Sequence, residues 1–161
     1  MWKTVIETEV GNLTAFADAQ GLAALLWPDV DLSRFEGTVA ETVRPSEIPL
    51  FTDLVQQLSE YFQGSRRQFE LPLNPSGTEF QRAAWQALTQ IPFGETRTYA
   101  HQAAAIGRPK AVRAVGAANG KNPISIVVPC HRVIGKNGSL TGFAGGIEVK
   151  RRLLELESQP A

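Results

Sequence analysis

YAHQAAAIGRPKAVRAVGAAN, running from Tyr99 to Asn119, is the stretch on which the fold turns. Gly107-Arg108-Pro109 interrupts a run otherwise suited to helix, and Pro109, with its fixed φ and missing N–H, suits the first turn of a new one. The stretch reads as two short helices, Tyr99–Ile106 and Lys110–Asn119, in the outline of a helix-turn-helix. At about 100° per residue, Ala111, Val112, Val115 and Ala118 fall on one apolar face, while Lys110, Arg113 and Ala117 fall opposite with Gly116 beside them. That outer face is basic and smooth. Small residues let a helix approach a nucleic-acid backbone or a narrow groove closely, with Arg113 as the long side chain left projecting. The same outline also serves as a packing unit with a solvated charged face, so the helix pair alone leaves the function open.

Downstream, Ile124-Ser125-Ile126-Val127-Val128 is a β-branched run closed by Pro129, which predicts a buried strand or extended segment, and Ile147 to Glu157 predicts a last helix. Upstream, Thr78 with Gln81 three residues on has capping-box spacing. Phe80, Ala84, Ala87, Leu88 and Ile91 then form one helical stripe that Pro92 ends. Residues 65–77 are polar and carry Pro72, Pro75 and Gly77, as a connection between lobes would. In the first third, Thr4–Thr8 and Leu13–Ala17 about Gly11-Asn12 read as a hairpin, and Leu22–Trp27 as a further strand. Leu50, Leu54, Leu58 and Phe62 recur every four positions ahead of Gly64, a helix with a glycine C-cap. The expected fold is therefore α+β: a small α/β lobe with a short antiparallel sheet over residues 1–74, then a mostly helical lobe with the helix-turn-helix over residues 75–161.

The chain has 161 residues, 43% of them hydrophobic, enough for one core or for two small lobes. No stretch approaches the roughly 20 apolar residues of a membrane span. Glu7 and Glu9 soon after Lys3 do not form a secretory leader, so the expectation is a soluble, cytoplasmic monomer. Cys130 is the single cysteine, and His101 and His131 are the only histidines, which excludes an internal disulfide and a cysteine-histidine zinc cluster. Neither a metal nor a cofactor is expected. Sixteen basic residues balance sixteen acidic ones, so any grip on nucleic acid has to come from a local basic surface.

Pro129-Cys130-His131-Arg132-Val133-Ile134-Gly135 holds the chemistry. Alone, a cysteine is usually a small core residue and a histidine a satisfied polar group. Side by side they suggest a thiol whose proton an imidazole accepts, directly or through a water. A base of this kind works best when a carboxylate orients it. Glu157 follows Leu153 and Leu154 by four and three residues and shares their face, whereas Glu155 falls with Arg151 and Arg152 on the wetter side. Glu157 is the better partner for His131. Taken by itself, however, Glu157 reads first as a frayed terminal residue set against the helix dipole.

Pro129-Cys130-His131-Arg132-Val133, with Asn122-Pro123 before it and Gly145-Gly146 after it, resembles the active-site signature of the O6-alkylguanine-DNA alkyltransferases. The resemblance covers roughly residues 78–157 and takes in Phe80-Gln81, Ile91-Pro92-Phe93-Gly94 and Arg113-Ala114-Val115-Gly116, whereas the first 75 residues match in outline only. It implies a repair protein that moves an alkyl group from O6-alkylguanine in double-stranded DNA, with O4-alkylthymine as a second candidate substrate, onto Cys130, irreversibly and once per molecule. His131 would be the base acting through a water and Glu157 the carboxylate holding it. Asn122 would tie the recognition helix to the active-site segment, and Arg132 would belong to the structural signature. Tyr99 would lie by the DNA backbone and donate to the departing guanine, and Arg113 would enter the stack vacated by the extruded base. DNA contacts would come from Arg113, Tyr99, Lys110, Gly116 and Ala117, mostly to phosphate and sugar and without sequence readout. Extrusion is required because O6 is buried inside a duplex.

Ser125, Val128, Phe143 and Ala144 would line the substrate pocket. Phe143-Ala144 stands where relatives often carry tyrosine and serine, leaving only the backbone N–H of Ala144 to donate to O6. Ser125 replaces a proline that packs on bulky alkyl groups in some relatives. Three rival readings remain: a non-catalytic binder of alkylated DNA, which in this fold carries tryptophan at the nucleophile; a helix-turn-helix regulator, for which Arg113 and Lys110 are too few base-reading side chains; and a cysteine hydrolase.

Overall fold

A computed structural model describes residues 1–28, 40–140 and 142–158. The chain divides into two compact units, Met1–Pro75 and Ser76–Pro160.

In the first unit β1 (Trp2–Thr8) and β2 (Gly11–Asp18) form an antiparallel hairpin, from Trp2 opposite Ala17 to Thr8 opposite Gly11. The turn is Glu9-Val10, two residues ahead of the expected Gly11-Asn12. Thr8 explains the shift: its Oγ1 donates to the Gly11 carbonyl at 2.7 Å and accepts from Val10 N at 3.2 Å, a local bond that competes for the turn. Gly11, at φ +110°, then opens β2 in a conformation that favours glycine. β3 (Gly21–Leu26) is buried along its whole length and pairs antiparallel with β2. The sheet carries a fourth strand that the sequence does not announce, β4 (Glu41–Thr42), which pairs parallel with β1 to give the order β3-β2-β1-β4. The parallel β4 makes the sheet mixed, not antiparallel throughout, and a two-residue strand has no alternation by which the sequence could reveal it. Helix α1 (Pro49–Phe62) buries Phe51, Leu54, Leu58 and Tyr61, and Gly64 follows at φ +81°.

The second unit begins at Thr78, which caps α2 (Glu79–Thr89). Thr78 Oγ1 accepts from Gln81 N at 3.1 Å and Thr78 N donates to Gln81 Oε1 at 3.0 Å. Ala84, Trp85 and Leu88 turn inward. β5 (Arg97–Thr98) leads into α3 (Tyr99–Ala105), with Thr98 Oγ1 accepting from His101 N. Helix α4 spans Val112–Gly120, so it starts later than the expected Lys110. Arg108 to Ala111 close a turn of their own, Ala111 N donating to Arg108 O at 2.9 Å, and Pro109 is spent inside that turn instead of in the helix. The buried face of α4 is Val115, Ala118 and Asn119, while Val112, expected in the core, is 37% exposed at the first helical position.

The run Ile124–Val128 is buried as expected but is not a strand. It coils, with Val127 N donating to Ser125 O at 2.8 Å, Val128 N to Ile124 O at 3.0 Å, and Ile126 at φ +69°. Cys130–Arg132 form a 3-10 turn, and β6 (Val133–Ile134) pairs parallel with β5. Helix α5 (Ile147–Ser158) buries Lys150, Leu153 and Glu157. No helix is long and apolar enough to cross a membrane.

Candidate active site

Buried turns, not a strand, present the thiol. Asn122 holds the coil beneath it at both ends: its Nδ2 donates to Val128 O at 2.8 Å and its Oδ1 accepts from Ile124 N at 3.0 Å. The next turn carries Cys130, partly exposed, and His131, fully buried. Burial pushes the Cys130 thiol up, against the bond from Asn122 and the nearby charge of Lys150, which pull it down. The resting sulfur therefore holds its proton.

His131 and Arg132 share one carboxylate. Glu157 Oε2 lies 2.6 Å from His131 Nε2, and Arg132 reaches Glu157 through Nε to Oε1 at 2.8 Å and Nη2 to Oε2 at 3.1 Å. Arg132 Nη1 also donates to Ile91 O at 2.7 Å, and its guanidinium stacks over Phe93 at 5.8 Å. Burial alone would raise Glu157, but the bonds from His131 and Arg132, the Arg132 charge and, once acid protonates the imidazole, the His131 charge outweigh it and hold the carboxyl at about 2. An ionised carboxylate only accepts, so the His131 hydrogen sits on Nε2 and Nδ1 is left bare. Burial also pushes the imidazole pKa down, with Glu157 opposing, which keeps His131 neutral. Its Nδ1 is buried and has no hydrogen-bond partner among the described residues. A neutral imidazole with one nitrogen held by a carboxylate and the other uncommitted is a base ready for a proton.

Lys150 escaped sequence reading. It is 1% exposed, donates Nζ to Val133 O at 2.7 Å, and interacts electrostatically with Cys130. Burial pushes its own pKa down. A signal existed: Lys150, Leu153 and Glu157 lie at i, i+3 and i+7, one face of α5, so the stripe that buries the carboxylate buries the lysine too. Asn119 and Gln102, both buried, were also passed over; nothing in their spacing marks them.

A pocket of about 20 Å³ opens at the thiol, and Tyr99, Asn119, Asn122, Ser125, Cys130 and the Gly142–Ala144 segment are among its lining. That is room for a water, not for a purine. Tyr99, Asn122, Ser125, Phe143 and Ala144 are thus brought to Cys130. Val128 is buried and does not line the pocket; its carbonyl accepts from Asn122 Nδ2 and from Cys130 N at 2.9 Å. Arg113 and Ala117 are exposed on α4 and Gly116 lies against the Tyr99 ring, where an added Cβ would sit 3.8 Å from it. Lys110 is exposed but lies ahead of α4, so it does not share that helix's face. A larger cleft of about 360 Å³, lined by Gly94, Ile134, Leu140, Arg151 and Leu154, touches Glu157 and does not reach the thiol. Among the described residues no group of three or more His, Cys, Asp or Glu side chains could hold a metal ion.

Residues 79–159 match the family model described as "6-O-methylguanine DNA methyltransferase, DNA binding domain", and residues 1–75 match its "ribonuclease-like domain". The chain belongs to the 6-O-methylguanine DNA methyltransferase family. Among its relatives in this family is the constitutive methylated-DNA--protein-cysteine methyltransferase of Bacillus subtilis, 48% identical over 155 residues, covering 96% of this chain and 93% of the relative. The methylated-DNA--protein-cysteine methyltransferase of Methanosarcina barkeri is 54% identical over 160 residues, covering 98% and 97%. The structure of Mycobacterium tuberculosis OGT in complex with DNA superposes with a TM-score of 0.88 at 44% identity, covering 98% of this chain and 93% of that one. The methyltransferase family accounts for the α+β architecture of the chain.

Proposed function

We propose that this chain repairs DNA by direct reversal, moving the alkyl group of O6-alkylguanine onto the sulfur of Cys130. The observation that carries the reading is the uncommitted, buried Nδ1 of His131 one residue from the only thiol, with its Nε2 held by an ionised Glu157. The Cys130 proton passes through a water to His131 Nδ1, and Glu157 stabilises the imidazolium that results. The thiolate attacks the alkyl carbon, an S–C bond forms, and the C–O6 bond breaks with its electron pair returning to the guanine; Tyr99 donates a proton to the leaving guanine and regains one from solvent, to which the His131 imidazolium releases its own. A thioether is not displaced by water, so the protein acts once.

DNA binding is supported by the match to a DNA-binding domain and by the DNA-bound relative. Arg113, Ala117 and Gly116 on α4 and Tyr99 at the start of α3 supply the surface, and Lys110 adds charge from the turn ahead of α4. Contacts run to the backbone of double-stranded DNA without sequence preference, and the chain works as a monomer without metal.

The test is an intact-mass spectrum and a burst assay with O6-methylguanine duplex. One methyl per molecule on Cys130, and a burst abolished in Cys130→Ser, supports the reading. Turnover past one equivalent favours a hydrolase, binding without transfer a non-catalytic binder, and preference for one DNA sequence a regulator.

A further inference from the structure

Side chains from two helices close on the last turn of α4, and neither belongs to the proton relay. From α2, the Trp85 indole donates to Ala118 O at 2.8 Å. From α3, Gln102 Nε2 donates to Asn119 Oδ1 at 2.9 Å, and Asn119 Nδ2 returns a bond to Gln102 Oε1 at 2.8 Å. The same Gln102 Nε2 reaches Ala84 O of α2 at 3.0 Å. Both amides are buried. The other buried residues of α3 and α4 are Ala103, Val115 and Ala118, whose apolar side chains carry no directional bond. A reciprocal amide pair does not slide, because a shift leaves buried donors and acceptors unpaired. Here the pair fixes the register.

That register reaches the thiol. Tyr99 precedes Gln102 by three residues on α3, and Asn119 O accepts Asn122 N at 3.2 Å. Tyr99, Asn119 and Asn122 all line the pocket of about 20 Å³. The amide pair thereby ties the Tyr99 side of the pocket to the Asn119–Asn122 side. We propose that Gln102 and Asn119 are positioning residues whose reciprocal amide bond latches α3, which carries Tyr99, to the Asn119–Asn122 segment, and so holds both in place at the thiol pocket. The proposal rests on the alkyl-transfer reading.

The decisive variant is the pair Gln102→Met/Asn119→Leu, which exchanges both amides for apolar chains of similar size, a change close to neutral for stability when both partners go together. The expected result is a melting midpoint and an affinity for undamaged duplex near wild type. Transfer at saturating substrate should nevertheless slow about tenfold, because a slightly misplaced wall is costly to a reacting pair. The slowing appears equally with O6-methylguanine duplex and with free O6-methylguanine, since both must enter the same pocket. A purely structural role predicts wild-type transfer once the double variant is folded, and that result overturns the proposal. So does slowing confined to duplex, which would put the pair in the DNA grip. Where the apolar pair does not fold, Gln102→Asn carries the test: it keeps the amide and shortens its reach, and an unchanged rate per folded molecule overturns the latch. Wild-type protein runs alongside, and its failure to transfer sinks the alkyl-transfer reading, whereas transfer by wild type with unimpaired variants sinks only the latch.

Discussion

Glu157→Ala probes the charge arrangement most directly. The carboxylate accepts from His131 at 2.6 Å and from Arg132 at 2.8 and 3.1 Å. Its removal leaves a guanidinium that is 7% exposed with Ile91 O as its remaining bonded oxygen, and leaves His131 with neither nitrogen engaged. Breaking a buried ion pair from one side costs about 3–5 kcal/mol. A second route gives a similar figure: the carboxyl is held at about 2 instead of 4.5, which by linkage is worth about 3 kcal/mol at neutral pH. Since the folded value is the lower, the unfolded chain binds the proton first. The stabilisation is whole above 4.5 and fades as pH falls toward 2. His131, also pushed down, adds a loss that begins as pH falls below 6.5. Urea denaturation near pH 7 should place the variant about 3–5 kcal/mol below wild type, a large share of a typical total of about 5–15. Arg132→Met/Glu157→Ala should recover part of the loss by removing the stranded charge. A single variant within about 1 kcal/mol of wild type, the size of an exposed pair, would refute the buried network.

Arg113→Ala should leave reaction with free O6-methylguanine intact and slow repair in duplex strongly; equal loss on both, read as second-order rates, would move Arg113 from base extrusion to the fold. Lys150→Met should raise the pH at which Cys130 reacts with a small thiol reagent, because the charge opposing its burial is gone; an unshifted profile would deny the coupling. Binding to undamaged duplex, followed by anisotropy, should weaken with salt on a shallow slope and vary little with sequence, as a chain of zero net charge predicts. Methylated protein should melt several degrees lower than the free-thiol form, since a methyl forced into a packed site costs about 1–3 kcal/mol; identical midpoints would show that the pocket accepts it without strain.

Much of the catalytic unit could be read from residue order because its signals are local. Thr78 and Gln81 announce a cap, and Cys130-His131 announces a nucleophile beside a base. Glu157 was legible as a face partner of Leu153. What could not be read depends on bonds between distant side chains. Ile124–Val128 has a strand's composition, yet both ends are held by one side chain, Asn122, and that bond turns the run into a coil. Pro109 has the right chemistry for a helix start, but the Arg108–Ala111 turn claims it first. The Gln102–Asn119 pair has no signature, because either amide would be ordinary on a surface.

Ile126 gives that coil a further property. A β-branched residue in the left-handed region, φ +69°, costs about 1–3 kcal/mol and persists only where its surroundings overrule it. Its side chain is 1% exposed, and Asn122 grips the segment on either side. The ground under the sulfur is therefore strained backbone held by its own turn bonds, by packing and by Asn122. Small disturbances at the pocket meet a stiff floor, and loss of the Asn122 bonds leaves that strain to the turn bonds and the packing alone.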